Sequence, residues 1–310
     1  MKSFIRALLR FLLIGLFQLF GILPLPLMSA LAAALMTFIS WFLKRYRRIA
    51  AENLRHAYPG ITPREIARII TAGFRSIGLT IAEMLCFGHR PEAMMKRISV
   101  DGLEHLDRAL ANGKGVVAVT AHLGNFPLMM SYLAWRGYSV SVIFKPPRDQ
   151  KADDYFISRW KTITGARIIY SMPRLRCIQE SLKVLRGNGL LFILPDQNFG
   201  DDGSVFVDFF GRTAATGTGP SVFARRSGAC IVPMFIVRQP DATHKIIIEK
   251  PVEAAQAPTE EEALIVQTQQ LAAVIEQYLR RCPDQWLWFH KRWKTSPEDQ
   301  RAKQGENHGD

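Results

Sequence analysis

Between Phe11 and Leu43 the chain carries no charged residue: FLLIGLFQLFGILPLPLMSALAAALMTFISWFL. A run of that length can cross a bilayer once. Pro24 and Pro26 divide it, because proline removes a backbone donor and interrupts a helix. The run therefore reads as one transmembrane helix plus an apolar interfacial helix, or as a re-entrant pair. A cleaved signal peptide is the alternative. Against it, the run is longer than a signal h-region, and a basic cluster follows it rather than a clear cleavage site. Lys2, Arg6 and Arg10 precede the run and KRYRR, Lys44 to Arg48, follows it. Basic juxtamembrane residues favour the cytoplasmic side and anionic headgroups.

The anchor interprets the charge of the whole chain. A formal net charge of +13 over 310 residues calls for an anionic partner: a membrane surface, nucleic acid, an acidic carrier protein or a phosphorylated substrate. Next to an apolar N-terminus, the excess reads first as membrane attachment. No nucleic-acid-binding motif accompanies the basic residues, so that partner is set aside. Cys86, Cys177, Cys230 and Cys282 are far apart and form no CxxC pair. They argue against zinc or a disulfide framework and fit a reducing compartment.

Past the anchor, Thr62-Pro63-Arg64-Glu65 combines a capping box with a proline at the first helical position, and predicts a helix start. Glu83 falls on this apolar helix. A carboxylate at the edge of its membrane-facing side is the favoured reading, since Glu is rarely fully buried, and a site residue is the sharper one. From about residue 98, short β-branched runs alternate with helical patterns. Strands are expected at Gly115–Thr120, Ser139–Phe144, Arg167–Tyr170, Leu190–Leu194, Ile231–Val237 and Lys245–Glu249. Helices are expected at Pro127–Trp135, Asp154–Ile163, Leu175–Arg186, Gly219–Ser227 and Glu260–Arg281. That alternation predicts an α/β fold, a sheet with helices packed on it. The domain organisation follows: an anchor and basic segment over 1–48, an α/β domain over 49–295 and a polar tail over 296–310.

In such a sheet, ligands bind at the carboxyl ends of strands. His122, in AHLGNFP, and Asp196, in LPDQ, both fall just after strand ends. A histidine there can take a proton from a hydroxyl. Gly124 and Asn125 make a tight turn and Pro127 suits the next helix start, so His122 is displayed beside a helix N-terminus that attracts negative charge. TGTGP leads into another helix and could bind an anion, or be an ordinary turn. GKG at Gly113–Gly115 is too short for a phosphate loop. Near the end, Trp286, Trp288, His290, Arg292 and Trp293 interleave aromatic with basic residues, as suits a membrane interface or a lipid headgroup. Stacking on single-stranded nucleic acid is the weaker rival.

Taken in order, RRIAAENLRHAYP, AHLGN, LPDQNFG, VFVDFFGRTAATGTGP and PDQWLWFHKRW resemble the bacterial lipid A biosynthesis acyltransferases, within the wider lysophospholipid acyltransferase superfamily. The resemblance covers nearly the whole chain. It implies a glycerolipid acyltransferase-like α/β core, a mixed sheet flanked by helices, behind a membrane anchor at the cytoplasmic face of the inner membrane. It also implies transfer of a fatty acyl group from an acyl carrier protein thioester, or a coenzyme A thioester, to a hydroxyl of a lipid acceptor, with no metal or nucleotide cofactor. The family signature His-x-x-x-x-Asp/Glu pairs a base with the carboxylate that orients it. His122 fills the first position, but Pro127 stands where the carboxylate belongs. Three readings follow: another carboxylate, Asp196 first and Glu83 second, replaces it; a backbone carbonyl or Asn125 orients the ring; or acyl transfer is lost and lipid binding kept. Asp196 matches the family aspartate of the PD motif. Arg167, with Arg159 as the near alternative, matches a family arginine. Asn125, Gln197 and Arg212 complete the expected substrate-binding set.

Overall fold

The computed structural model describes residues 23–146, 162–200 and 203–298. Seven strands form one sheet: β1 (Ile98–Asp101), β2 (Val116–Val119), β3 (Val140–Phe144), β4 (Arg167–Tyr170), β5 (Leu190–Ile193), β8 (Cys230–Arg238) and β9 (His244–Ile248). Their order is β1-β9-β8-β2-β5-β3-β4. The run from β8 to β4 is parallel, whereas β9 is antiparallel to β8 and parallel to β1. The sheet is therefore mixed and mostly parallel, as expected. A separate antiparallel hairpin pairs β6 (Ser204–Phe209) with β7 (Arg212–Gly217).

Eight of the nine described helices exceed a single short turn: α1 (Leu25–Phe42), α2 (Lys44–Ala57), α3 (Pro63–His89), α5 (Leu103–Leu110), α6 (Phe126–Trp135), α7 (Arg174–Arg186), α8 (Gly219–Ser227) and α9 (Glu260–Arg281), with the short α4 (Pro91–Met95) after α3. They cover both faces of the sheet. On β2, Val117 and Val119 join one buried cluster with α2, α7, α8 and α9, while Val116 and Ala118 join another with α5 and α6. Both faces are covered, so β2 reads as a continuous apolar run rather than an alternating one. The expected helix Asp154–Ile163 lies mostly outside the described residues; 162–164 are helical.

Helix α3 starts at the anticipated capping box, Thr62 accepting from Glu65 N–H and Glu65 reaching back to Thr62 N–H. At 1.5 Å per residue its 27 residues span roughly 40 Å. Its first half, Ile66 to Phe74, packs in one cluster and its second, Ala82 to Phe87, in the other. By length and hydropathy both α1 and α3 could cross a membrane, but half of α3 is buried within the protein and only 17% of α1 is. Helix α1 lies against α3 in backbone contact: a Cβ on Gly78 would come 2.4 Å from the carbonyl oxygen of Ala32. The opposite side of α1 exposes Leu27, Leu31, Leu35, Phe38, Trp41 and Phe42, a stripe at helical spacing. Lys44 to Arg48 open α2, a single helix that runs through the expected boundary at residue 48.

Candidate active site

Strand β2 ends at Val119, and the chain then turns sharply through Ala121 to Asn125 into α6. Gly124 makes that turn possible. Its φ is +57°, and a Cβ there would sit 2.2 Å from the carbonyl oxygen of Ile236 on β8. Gln285 fastens the turn to the sheet: its carbonyl accepts from Gly124 N–H at 2.9 Å, and its side-chain amide exchanges two bonds with the backbone of Arg238. Asn125 caps α6, accepting from Leu128 N–H at 3.0 Å.

His122 stands at the crest of this turn, its side chain 24% exposed. Asp196 follows the adjacent strand β5 and is 1% exposed. Asp196 Oδ1 lies 2.9 Å from His122 Nδ1, and Oδ2 accepts from the backbone N–H of His122 at 2.9 Å and from the indole N–H of Trp286 at 2.7 Å. Burial alone would raise the Asp196 carboxyl, but the His122 ring and these donors outweigh it and hold it below the usual range. A carboxylate at Nδ1 fixes the proton there and leaves Nε2 free as a base. Trp286 thus locks the acid, while Leu287 N–H donates to His122 O at 3.2 Å and a β-bridge joins Leu123 to Trp286.

This corrects the expectation for the C-terminal aromatic segment. Trp286, Trp288 and Arg292 are at most 2% exposed and form the inner wall of the site, not a membrane or headgroup surface. Glu83 is corrected too. It is 3% exposed and chelated by Arg238, with Nε to Oε1 at 2.9 Å and Nη2 to Oε2 at 2.7 Å. His244 Nε2 lies 3.2 Å from Oε1, and Asn125 donates to Oε2 at 2.8 Å. Ser76 and Thr80, on the same face of α3, take the other N–H groups of Arg238. Burial pushes the Glu83 carboxyl up, but bonds from His244 and Arg238 prevail and lower it to about 2.

The remaining expected ligands are scattered. Asn125 is fully buried with its oxygen and nitrogen spent on Leu128 and Glu83, so it belongs to the wall and cannot face a substrate. Gln197 follows Asp196 and stays half-buried. Arg167 opens β4 in register with Ser141, near the amino end of the sheet, and pairs with Glu180 at 2.8 Å. That is the wrong end to meet a group at His122. Arg159 lies outside the described residues. Arg212 is exposed at the hairpin turn, 2.6 Å from His56 Nε2, and touches neither His122 nor Asp196 among the described residues. No group of three or more His, Cys, Asp and Glu side chains able to hold a metal occurs among the described residues.

A model of the bacterial lipid A biosynthesis acyltransferases matches residues 2–295. The chain belongs to that family. The lipid A biosynthesis lauroyltransferase of Escherichia coli K12 is 28% identical over 92% of this chain and 91% of its own length. The palmitoleoyltransferase of the same strain is 29% identical over 92% and 90%. The myristoyltransferase of that strain is 24% identical over 81% and 76%. The protein is thus an acyltransferase, and relatives named for three different acyl chains share its sequence at a similar, moderate level.

Proposed function

We propose that this acyltransferase moves a fatty acyl group from an acyl carrier protein thioester to a hydroxyl of a lipid A precursor at the cytoplasmic face of the inner membrane. The observation that carries the chemistry is the 2.9 Å contact between His122 Nδ1 and buried Asp196, with the ring itself partly exposed. His122 Nε2 removes the proton as the acceptor hydroxyl attacks the thioester carbonyl. The tetrahedral intermediate then collapses, the C–S bond breaks, and the imidazolium returns the proton to the departing thiolate. Asp196 supplies the carboxylate that Pro127 cannot, reached from the neighbouring strand instead of the next helical turn. That favours an active enzyme over a lapsed, lipid-binding relative.

The membrane reading rests on α1 and α2. The exposed stripe from Leu27 to Phe42 suits acyl chains, and the basic start of α2 suits anionic headgroups and an acidic carrier. The test is transfer by the detergent-solubilised protein, offered carrier-protein or coenzyme A thioesters with a lipid A precursor or lysophospholipids, and read by mass spectrometry. Acylation of the lipid A precursor from the carrier thioester is the expected result. Acylation of lysophospholipids alone would move the acceptor to another glycerolipid, and no acylation of any acceptor would overturn the enzyme reading.

A further inference from the structure

Arg292 is a buried cation without an acid. It is 1% exposed, and no carboxylate lies within 4 Å of it among the described residues. Its guanidinium is instead clamped by neutral oxygens: Nη1 donates to Ala215 O at 2.6 Å and Gln197 O at 3.3 Å, and Nη2 to Thr216 Oγ1 at 2.5 Å. Its Cζ lies over the ring of Phe209, 4.7 Å from the centroid. Nε is buried with no partner. Such a charge is costly to bury and cannot shed its proton as lysine can. Something nearby must use it.

Arg292 and the catalytic carboxylate residue Asp196 both line one small cavity, together with Thr216 and Phe209. It is about the size of one water. The rest of the lining is uncharged and includes Thr268, Leu271 and Ile275 of α9 and Gly217 of β7. His122 meets Asp196 directly, and His290 lies within electrostatic reach of Asp196, His122, Arg292 and Lys145. His290 is half-buried, its Nδ1 3.4 Å from the N–H of Asn198; burial and the cations around it hold it below the usual histidine range. Among the described residues, Asp196 is the anion felt by Arg292 and paired with His122.

We propose that Arg292 is a positioning residue for the dyad, presenting its charge towards Asp196 at the cavity they both line and disfavouring the protonated His122 ring. The inference rests on His122 and Asp196 as the catalytic pair. Burial lowers the Arg292 guanidinium to about 10 and Asp196 alone opposes that shift, which leaves it fully charged at neutral pH.

The experiment is an NMR titration of the His122 ring in the full-length, 15N-histidine-labelled protein in detergent, assigned with His122→Ala. Arg292→Met removes the charge, and Arg292→Lys keeps it while losing the planar clamp. The midpoint should move up by about one pH unit in Arg292→Met and by less than about 0.3 in Arg292→Lys. An unmoved midpoint in Arg292→Met, or equal movement in both, overturns the proposal. Should Arg292→Met not fold, Asp196→Asn/Arg292→Met should be at least as stable as Asp196→Asn alone, because the two charges leave together; a less stable double variant overturns it. The ring titration needs no substrate, so a failed acyl-transfer assay would contradict the proposed function separately.

Discussion

Among the described residues two carboxylates are buried, Glu83 and Asp196, and they are used in opposite ways. Glu83 is closed on all sides. Arg238 chelates it, Asn125 donates to it and His244 abuts it; Asn125 and His244 are fully buried and the Arg238 side chain is only 8% exposed. Asp196 is closed on one side only. Trp286 and a backbone N–H fix one oxygen, while the other meets an imidazole whose ring reaches the surface. A fully paired ion pair specifies a structure; a carboxylate shared with a partly exposed base can change its bonding during a reaction. The two are coupled through the short turn between His122 and Asn125. Asp196 bonds its first residue and Glu83 its last.

The sharpest break of this contrast is His122→Ala. Transfer should fall by at least about 10³-fold, with a smaller drop in melting temperature than Glu83→Gln shows, because the ring is the exposed end of its pair and solvent can reach Asp196 once it is gone. Glu83→Gln should show the reverse. It strips the charge from a buried pair and should cost about 3–5 kcal/mol, a fall of roughly 10 °C in Tm, with a kcat loss below about tenfold in the folded fraction. Equal losses of stability in the two variants would erase the distinction. Pro127→Glu should change kcat by less than about threefold, since Asp196 already occupies Nδ1; a large gain would show that the ring lacks its orienting acid. The smallest effect is in acid. The Glu83 carboxyl is depressed to about 2 from an unfolded value near 4.3, so its stabilisation is complete above about pH 5 and is lost as pH falls towards 2. The Tm gap between wild type and Glu83→Gln should narrow over that range in a thermal-melt series.

The sheet was largely legible because β2, β5 and β8 are apolar runs flanked by turns, and their carboxyl ends located both His122 and Asp196. The hairpin was not. Its turn residues Phe210 and Gly211 both have positive φ, a conformation normally announced by Asn-Gly; here the buried Phe210 ring, packed on Tyr58, Trp288 and Arg280, holds it. Strand β1 is four residues at the sheet edge, too short to show a period. Glu83 was misjudged because its partner, Arg238, is 155 residues away. The tryptophan-rich segment misled for a different reason: interleaved aromatic and basic residues look alike on an interface and in a core that grips a buried charge.

The most direct test of the account is single-turnover acyl transfer from a carrier-protein thioester to a lipid A precursor by wild type and Asp196→Asn, with Tm measured on both. Asn keeps the shape and loses the charge that fixes the proton on Nδ1. The account predicts transfer by wild type and a loss of at least about 10³-fold in Asp196→Asn, with the fold intact. An Asp196→Asn variant that transfers within about tenfold of wild type would contradict it, and would return the question of what orients His122 to the backbone.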